Sequence, residues 1–187
     1  MHQRPTLLDY LRYYDVEAFL FEDVHRRFHA DGVLSAFDFF SIVIWKANRA
    51  KSKIAKRLLQ HEGVTNLEDA VRKLISEIAN QTSSQARMKV LMKGWGFLLP
   101  MSSAILTVLY PKEFTVYDYR VCEKIEFGYN LSNLAFEKLW PEYEMFKQRV
   151  EEKAPSGLSL RDKDRFLSGK SFHDQLKADI DRSFGVQ

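Results

Sequence analysis

The chain has 187 residues, 45% of them hydrophobic and 13% aromatic, with 28 basic and 25 acidic side chains and a formal charge of +3. That length suffices for one sizeable core, and so apolar a composition excludes a disordered chain. The single cysteine excludes an intrachain disulfide and an all-cysteine iron–sulfur cluster, and the small net charge permits a nucleic-acid partner without arguing for one.

Helical periodicity dominates from the start. Glu22, His25 and His29 fall on one side of an early helix, a spacing that suits zinc. Two or three ligands with Arg26 and Arg27 beside them make a poor cation site, and no metal is expected. Ser35 with Asp38 three positions on marks the N-terminus of a helix carrying Phe39, Phe40, Val43 and Ile44.

From Trp45 to His61 there is no acidic residue, whereas Lys46, Arg49, Lys51, Lys53, Lys56 and Arg57 supply six positive charges. The spacing of Lys46, Arg49, Lys53 and Lys56/Arg57 predicts one basic stripe along one helix. Such a stripe fits a phosphate backbone, and equally a solvated surface helix. Thr65 with Glu68 predicts a capping-box start for the next helix. Leu67, Ala70, Val71, Leu74, Ile75 and Ile78 then recur at 3.6-residue spacing, as a core-facing stripe does.

Gly94-Trp95-Gly96 joins the amphipathic 86–92 segment to the apolar run 101–110, which Pro111 closes. A Gly-x-Gly between helices makes a sharp turn that can present backbone amides to a phosphate, or serves as an ordinary connection. Residues 114–117 form the only short β-like run, with no evident partner strand. Asp118 follows it at the head of a new helix, a usual place for an N-cap, with Tyr117, Tyr119 and Arg120 beside it. Cys122 reads as a small buried residue, because no histidine lies near it in sequence. Ser159 with Asp162 opens a late helix whose Arg161, Asp162, Asp164 and Arg165 read as capping and intrahelical pairs, or as arginines reaching toward a substrate. No Pro/Gly/Ser-rich linker, repeat or long apolar run interrupts the chain. One domain over 1–187 follows, built of about nine to eleven helices of ordinary length.

In order and spacing, Lys93-Gly94-Trp95-Gly96, Ser103-Ala104-Ile105-Leu106, Pro111 and Val116-Tyr117-Asp118-Tyr119-Arg120-Val121 resemble the helix-hairpin-helix DNA glycosylase superfamily. That pattern runs hairpin glycines, small residue, apolar helix, loop and aspartate segment. Ile44-Trp45-Lys46-Ala47-Asn48-Arg49 and the 158–165 stretch resemble poorly characterised bacterial proteins of this fold. The resemblance spans roughly residues 35–168.

The resemblance implies an all-α, two-lobed fold, with a hairpin-containing lobe at about 35–125 and a second lobe formed by 1–34 and 126–187. It implies base release from DNA, with the target base flipped into a pocket between the lobes. Asp118 would be the catalytic carboxylate, stabilising the sugar cation and orienting water. Gly94, Trp95, Gly96, Lys93, Lys46, Arg49, Lys53, Arg57 and Arg120 would hold double-stranded DNA, and Trp45, Ser102, Tyr117 and Tyr119 would line the base pocket. Bifunctional members carry a Schiff-base lysine after the hairpin. Here that position falls on Leu98 or Ser102, depending on the register, so the expected enzyme is a monofunctional N-glycosylase, acting without cofactor in the cytoplasm. The alternatives are a non-catalytic DNA-binding module and a helical protein-interaction domain.

Overall fold

The computed structural model describes residues 7–61 and 63–184, all helix, turn or extended connection with no strand among them. Residues 1–6 and 185–187, on which the expected outer bounds of the domain rest, lie outside the described residues, as does Glu62 in the expected 61–63 break.

Eleven α-helices follow in order among the described residues. They are α1 (Leu7–Tyr14), α2 (Val16–Ala18), α3 (His25–Asp31), α4 (Ala36–Ala47), α5 (Lys51–Leu59), α6 (Leu67–Ala79), α7 (Ser84–Lys89), α8 (Leu99–Leu109), α9 (Tyr119–Lys124), α10 (Phe136–Lys153) and α11 (Leu160–Phe184). A π-helical segment, Phe19–Val24, fuses α2 to α3, and a second, Val90–Gly94, extends α7 to the hairpin. Among the described residues no helix is long and apolar enough to cross a membrane.

Most N-termini are closed by their own side chains. Ser35 and Asp38, at the predicted start of α4, form a reciprocal capping box. Ahead of α11, Ser159 Oγ accepts from the Asp162 amide at 3.1 Å and donates to the Asp162 carboxylate at 2.7 Å. The α6 start differs from expectation. Asn66, not Thr65, is the N-cap, accepting from the Asp69 amide at 3.0 Å, while Thr65 bonds the Asp69 carboxylate. An amide side chain one residue nearer the helix reaches the free N–H better, and Glu68 is left to accept from the Ala36 amide at 2.9 Å.

The architecture turns on α8. Leu99 and every residue from Met101 to Leu109 are buried, and α3, α4 and α7 pack around the helix. A helix with no wet face must satisfy its polar atoms inside the protein. Thr107 Oγ1 donates to the Ser103 carbonyl at 2.7 Å. At the C-terminus, His25 Nδ1 lies 3.0 Å from the Val108 carbonyl and His29 Nε2 2.8 Å from that of Leu109, so each of those nitrogens carries its proton. The two histidines spaced for zinc are therefore helix caps, their rings 4.4 Å apart.

The β-like run is extended, but it pairs with side chains rather than with a strand. The Thr115 amide donates to the Tyr143 hydroxyl at 3.2 Å, and that hydroxyl donates to the Thr115 carbonyl at 2.7 Å. Ser103 Oγ accepts from the Tyr117 amide at 2.9 Å. These contacts fix the segment that delivers Asp118. One apolar cluster then runs from Phe19 to Leu167 across all the major helices.

Ser103→Ala should strip the buried Tyr117 amide of its acceptor and cost about 1–3 kcal/mol. Its neighbour Ser102 is equally buried, with a hydroxyl that has no partner, so Ser102→Ala should cost nothing or stabilise. Urea unfolding of the two variants checks the contrast.

Candidate functional site

Asp118 stands in extended conformation at the head of α9 and caps it, with Oδ1 accepting from the Arg120 amide at 3.0 Å. Its Oδ2 accepts from Lys46 Nζ at 2.5 Å. The lysine is 13% and the aspartate 30% exposed, so this ion pair sits at the edge of the interior, screened from bulk water. Burial alone pushes the Asp118 carboxyl up. The Lys46 charge and its hydrogen bond, with the Arg120 amide, outweigh burial and hold the carboxyl below the usual range.

The pair lies on the wall of a cavity of about 640 Å3, within the range of small-molecule sites. Trp45 and Lys46 reach it from the end of α4, Glu17 from α2, Val116 and Asp118 from the extended segment, and Tyr119 and Arg120 from α9. Arg161, Asp164, Arg165 and Ser168 close it from the first turns of α11.

A charge network ties these elements together. Arg161 Nη1 donates to Asp164 and Nη2 to Glu17 at 2.8 Å, while Arg165 Nε lies 3.0 Å from the same Glu17 oxygen. The Arg161 guanidinium also lies 4.6 Å from the Phe21 ring centroid and 5.2 Å from that of Trp45. Stacking lets a guanidinium lose water cheaply, consistent with a buried Nε that has no hydrogen-bond partner. Asp164, only 3% exposed in its side chain, behaves opposite to Asp118. Burial pushes its carboxyl up to about 6 against the pull of Arg161 and Lys46.

The cavity gathers Lys46, Asp118, Arg120, Trp45 and Tyr119 from the expected residues and leaves out the rest. The single basic stripe is not formed. Ala47 breaks the helix at φ −161°, a short 3-10 turn spans Asn48–Ala50, and α5 begins afresh at Lys51. Lys46 is thereby half-buried against Asp118, while Arg49, Lys51, Lys53 and Lys56 are exposed on the following elements. Arg57 packs on the hairpin instead. Its Nη1 lies 3.1 Å from where a Cβ on Gly96 would sit, and Gly96 has φ +65°, so both conformation and space favour glycine there.

Three of the residues expected to touch DNA or the base belong to the interior. Trp95 is 3% exposed, donates from Nε1 to Glu77 at 2.7 Å and stacks on His61 at 3.8 Å, so it cannot meet DNA without leaving the core. Tyr117 is 1% exposed, donates to the Gly128 carbonyl at 2.8 Å and accepts from the Leu131 amide at 3.2 Å. Ser102 lies wholly inside on α8, away from the cavity lining. The apolar rings of Trp95 and Tyr117 gain more from burial than from the surface, and each finds hydrogen-bond partners for its polar atom inside. Gly94 and Lys93 are exposed at the turn. Cys122 is buried, and burial pushes its thiol up to about 12, away from nucleophilic chemistry.

Sequence reasoning does not single out Glu17, Asp164 or Ser168 as site residues. Asp164 and Arg161 belong to a sequence cluster explained equally by capping and helix ion pairs, and the structure contains those pairs too, as Arg165 to Asp162 at 3.1 Å. Nothing in the sequence marks Glu17 as their partner, 144 positions away. Comparison with protein-family models, curated proteins and solved structures gives no match to the chain.

The two carboxylates should leave opposite marks on stability. Asp118, with its folded value depressed, contributes stability above about pH 4 that is lost as pH falls. Asp164, with its folded value raised, contributes stability that is complete below about pH 4 and is lost as pH rises through about 6, on the order of 3 kcal/mol at most. In urea unfolding at pH 4–7, Asp164→Asn should remove the component that declines with rising pH.

Proposed function

We propose that the chain is a DNA-binding N-glycosidic hydrolase of the helix-hairpin-helix glycosylase type, with two helical lobes and Asp118 as its catalytic carboxylate. The observation that carries this reading is the Asp118–Lys46 pair on the wall of the 640 Å3 cavity. A carboxylate kept ionised beside a space of that size can stabilise a sugar cation and take a proton from attacking water. Half-buried Trp45 and exposed Tyr119 offer aromatic faces against which a flipped base stacks.

The hairpin supports the same reading from the outside. Gly94 and Gly96 turn at the surface with Arg57 laid on Gly96, and Lys53, Lys56 and Lys93 are exposed. A duplex strand tracking this basic region would meet backbone and cations together. Lys46 takes the place of a hairpin lysine as the cation beside the aspartate, but it comes from α4, and water is the nucleophile in this reading.

A second reading, a DNA-binding module without catalysis, is favoured by one observation. Both Asp118 oxygens are engaged, one in capping α9 and one with Lys46, as in a purely structural N-cap. Asp118→Asn separates the two. On the catalytic reading it abolishes abasic-site formation on lesion-containing duplexes, while duplex affinity stays within about threefold, well under the 1.4 kcal/mol of a tenfold change. A wild-type protein that binds duplexes yet releases no base from a broad lesion panel leaves only the binding module.

The basic region is tested by salt. Lys53→Gln with Lys56→Gln should lower the slope of log affinity against log salt by about 0.9 for each phosphate no longer neutralised. An unchanged slope in a fluorescence-anisotropy titration would remove this face from the DNA interface.

A further inference from the structure

We propose that the outer face of α1 is a dimer interface, on which two copies of the chain pack their first helices antiparallel about a twofold axis. This surface lies apart from the 640 Å3 cavity, whose lining includes none of its residues, and its role does not depend on the chemistry performed there.

The apolar side of α1 faces the wrong way for a lone molecule. Leu7, Tyr10, Leu11 and Tyr14 recur at i, i+3, i+4 and i+7, so they share one side of a two-turn helix. Such a stripe is normally buried. Here all four side chains meet water, Leu7 at 77% and Tyr14 at 92% exposure. The helix is held by its other side. Arg12 Nε donates to Asp23 at 2.7 Å and Arg12 Nη2 donates to Glu22, which ties α1 to the π-helical segment. Tyr13 packs inward, its ring 5.1 Å from that of Phe19 and 5.2 Å from that of Phe37. Rolling α1 to bury the stripe would break both attachments, so the apolar side is fixed outward.

The patch is large. Phe37, near the start of α4, is more than half exposed and continues it through Tyr13, whose ring lies 6.4 Å from that of Tyr10. At about 200 Å² for each aromatic side chain and somewhat less for each leucine, Phe37 and the stripe leave on the order of 700 Å² uncovered. That exceeds the largest apolar patch of most monomers, and it approaches the ~800 Å² that each partner contributes to a standard interface.

A second copy is the occupant that fits. The four stripe residues carry no charge, so two such faces meet without repulsion. A phosphate backbone finds no cation on them, because Arg12 is committed to two carboxylates. The order Leu-Tyr-Leu-Tyr complements itself when reversed. A twofold axis between residues 10 and 11 sets Leu7 against Tyr14 of the partner subunit and Tyr10 against Leu11 of the partner subunit. Every ring then lies on an aliphatic side chain, and the pairing closes on itself as a dimer. A parallel pair would meet ring on ring and leucine on leucine, which fills space less evenly. The tyrosine hydroxyls stay hydrated at the rim, in keeping with the enrichment of tyrosine at interfaces.

Sedimentation equilibrium of the full chain from about 1 to 300 µM provides the test, since an interface of this size predicts a dissociation constant on the order of 1–100 µM. Leu11→Lys and Tyr10→Glu should each weaken the dimer by about 30-fold or more, each change being made twice in the assembly. Combined in one chain, the two should recover about fivefold at low salt. The antiparallel register sets each introduced ammonium against the partner's introduced carboxylate, whereas adjacent residues of one helix do not face each other. Both positions are exposed, and thermal unfolding of each dilute variant confirms the fold. A wild type that stays monomeric throughout, or a dimer whose affinity ignores both single substitutions, overturns the proposal. No recovery in the double variant overturns the antiparallel pairing. A monomer that co-sediments with phosphatidylcholine vesicles, and ceases to on Tyr10→Glu, gives the face to a lipid surface and likewise overturns the dimer.

Discussion

Everything in this protein is arranged around a helix that has almost no surface. With α8 buried on all sides, its neighbours must supply both apolar contact and the polar partners its ends require. His25 and His29 close its last carbonyls, Thr107 closes on its own turn, and Ser103 turns outward to accept the Tyr117 amide. The last contact carries the constraint to the site. It holds the 114–118 segment extended beside α8, so Asp118 emerges at a fixed place on the rim of the core rather than on a loose loop.

A segment with strand-like backbone and no strand partner must find its hydrogen bonds among side chains. Tyr143 provides two of them from α10, and burial pushes its phenol far up, so the hydroxyl stays a neutral donor and acceptor. The cavity therefore inherits rigidity from two directions, α8 behind and α10 beside. On the third side α9 and α11 run together, joined by Lys124 to Asp174 at 2.8 Å and Ser171 to Glu123 at 3.1 Å, which brings Arg161 and Asp164 opposite the aspartate.

Charge in this place is costly, and it survives because it is shared. Lys46, Asp118, Arg161, Asp164 and Glu17 form a partly buried network in which each cation faces a carboxylate and one guanidinium rests on two aromatic rings. Hydrophobic replacements of equal volume often stabilise such groups, whereas removing a single member strands its partner. Retaining so many ionised groups around a cavity is accordingly an argument for function rather than for stability.

The sequence by itself determined the helical class, the helix starts at Ser35 and Ser159, the largely buried 101–110 run, the sharp turn at Gly94 to Gly96 and the aspartate at the head of α9. Each is a local property, set by residues within one or two turns, so periodicity and side-chain reach suffice to read it. The resemblance also pointed to the 44–49 and 158–165 stretches, without saying that they meet. Tertiary structure decided that meeting. It broke the basic run at Ala47, drew Lys46 inward and left Arg49 outside, and it buried Trp95, Tyr117 and Ser102. It also joined Glu17 to Arg161 across 144 positions. Which side of a helix is wet, and which distant carboxylate a cation finds, depends on how whole helices pack, and no local pattern records that.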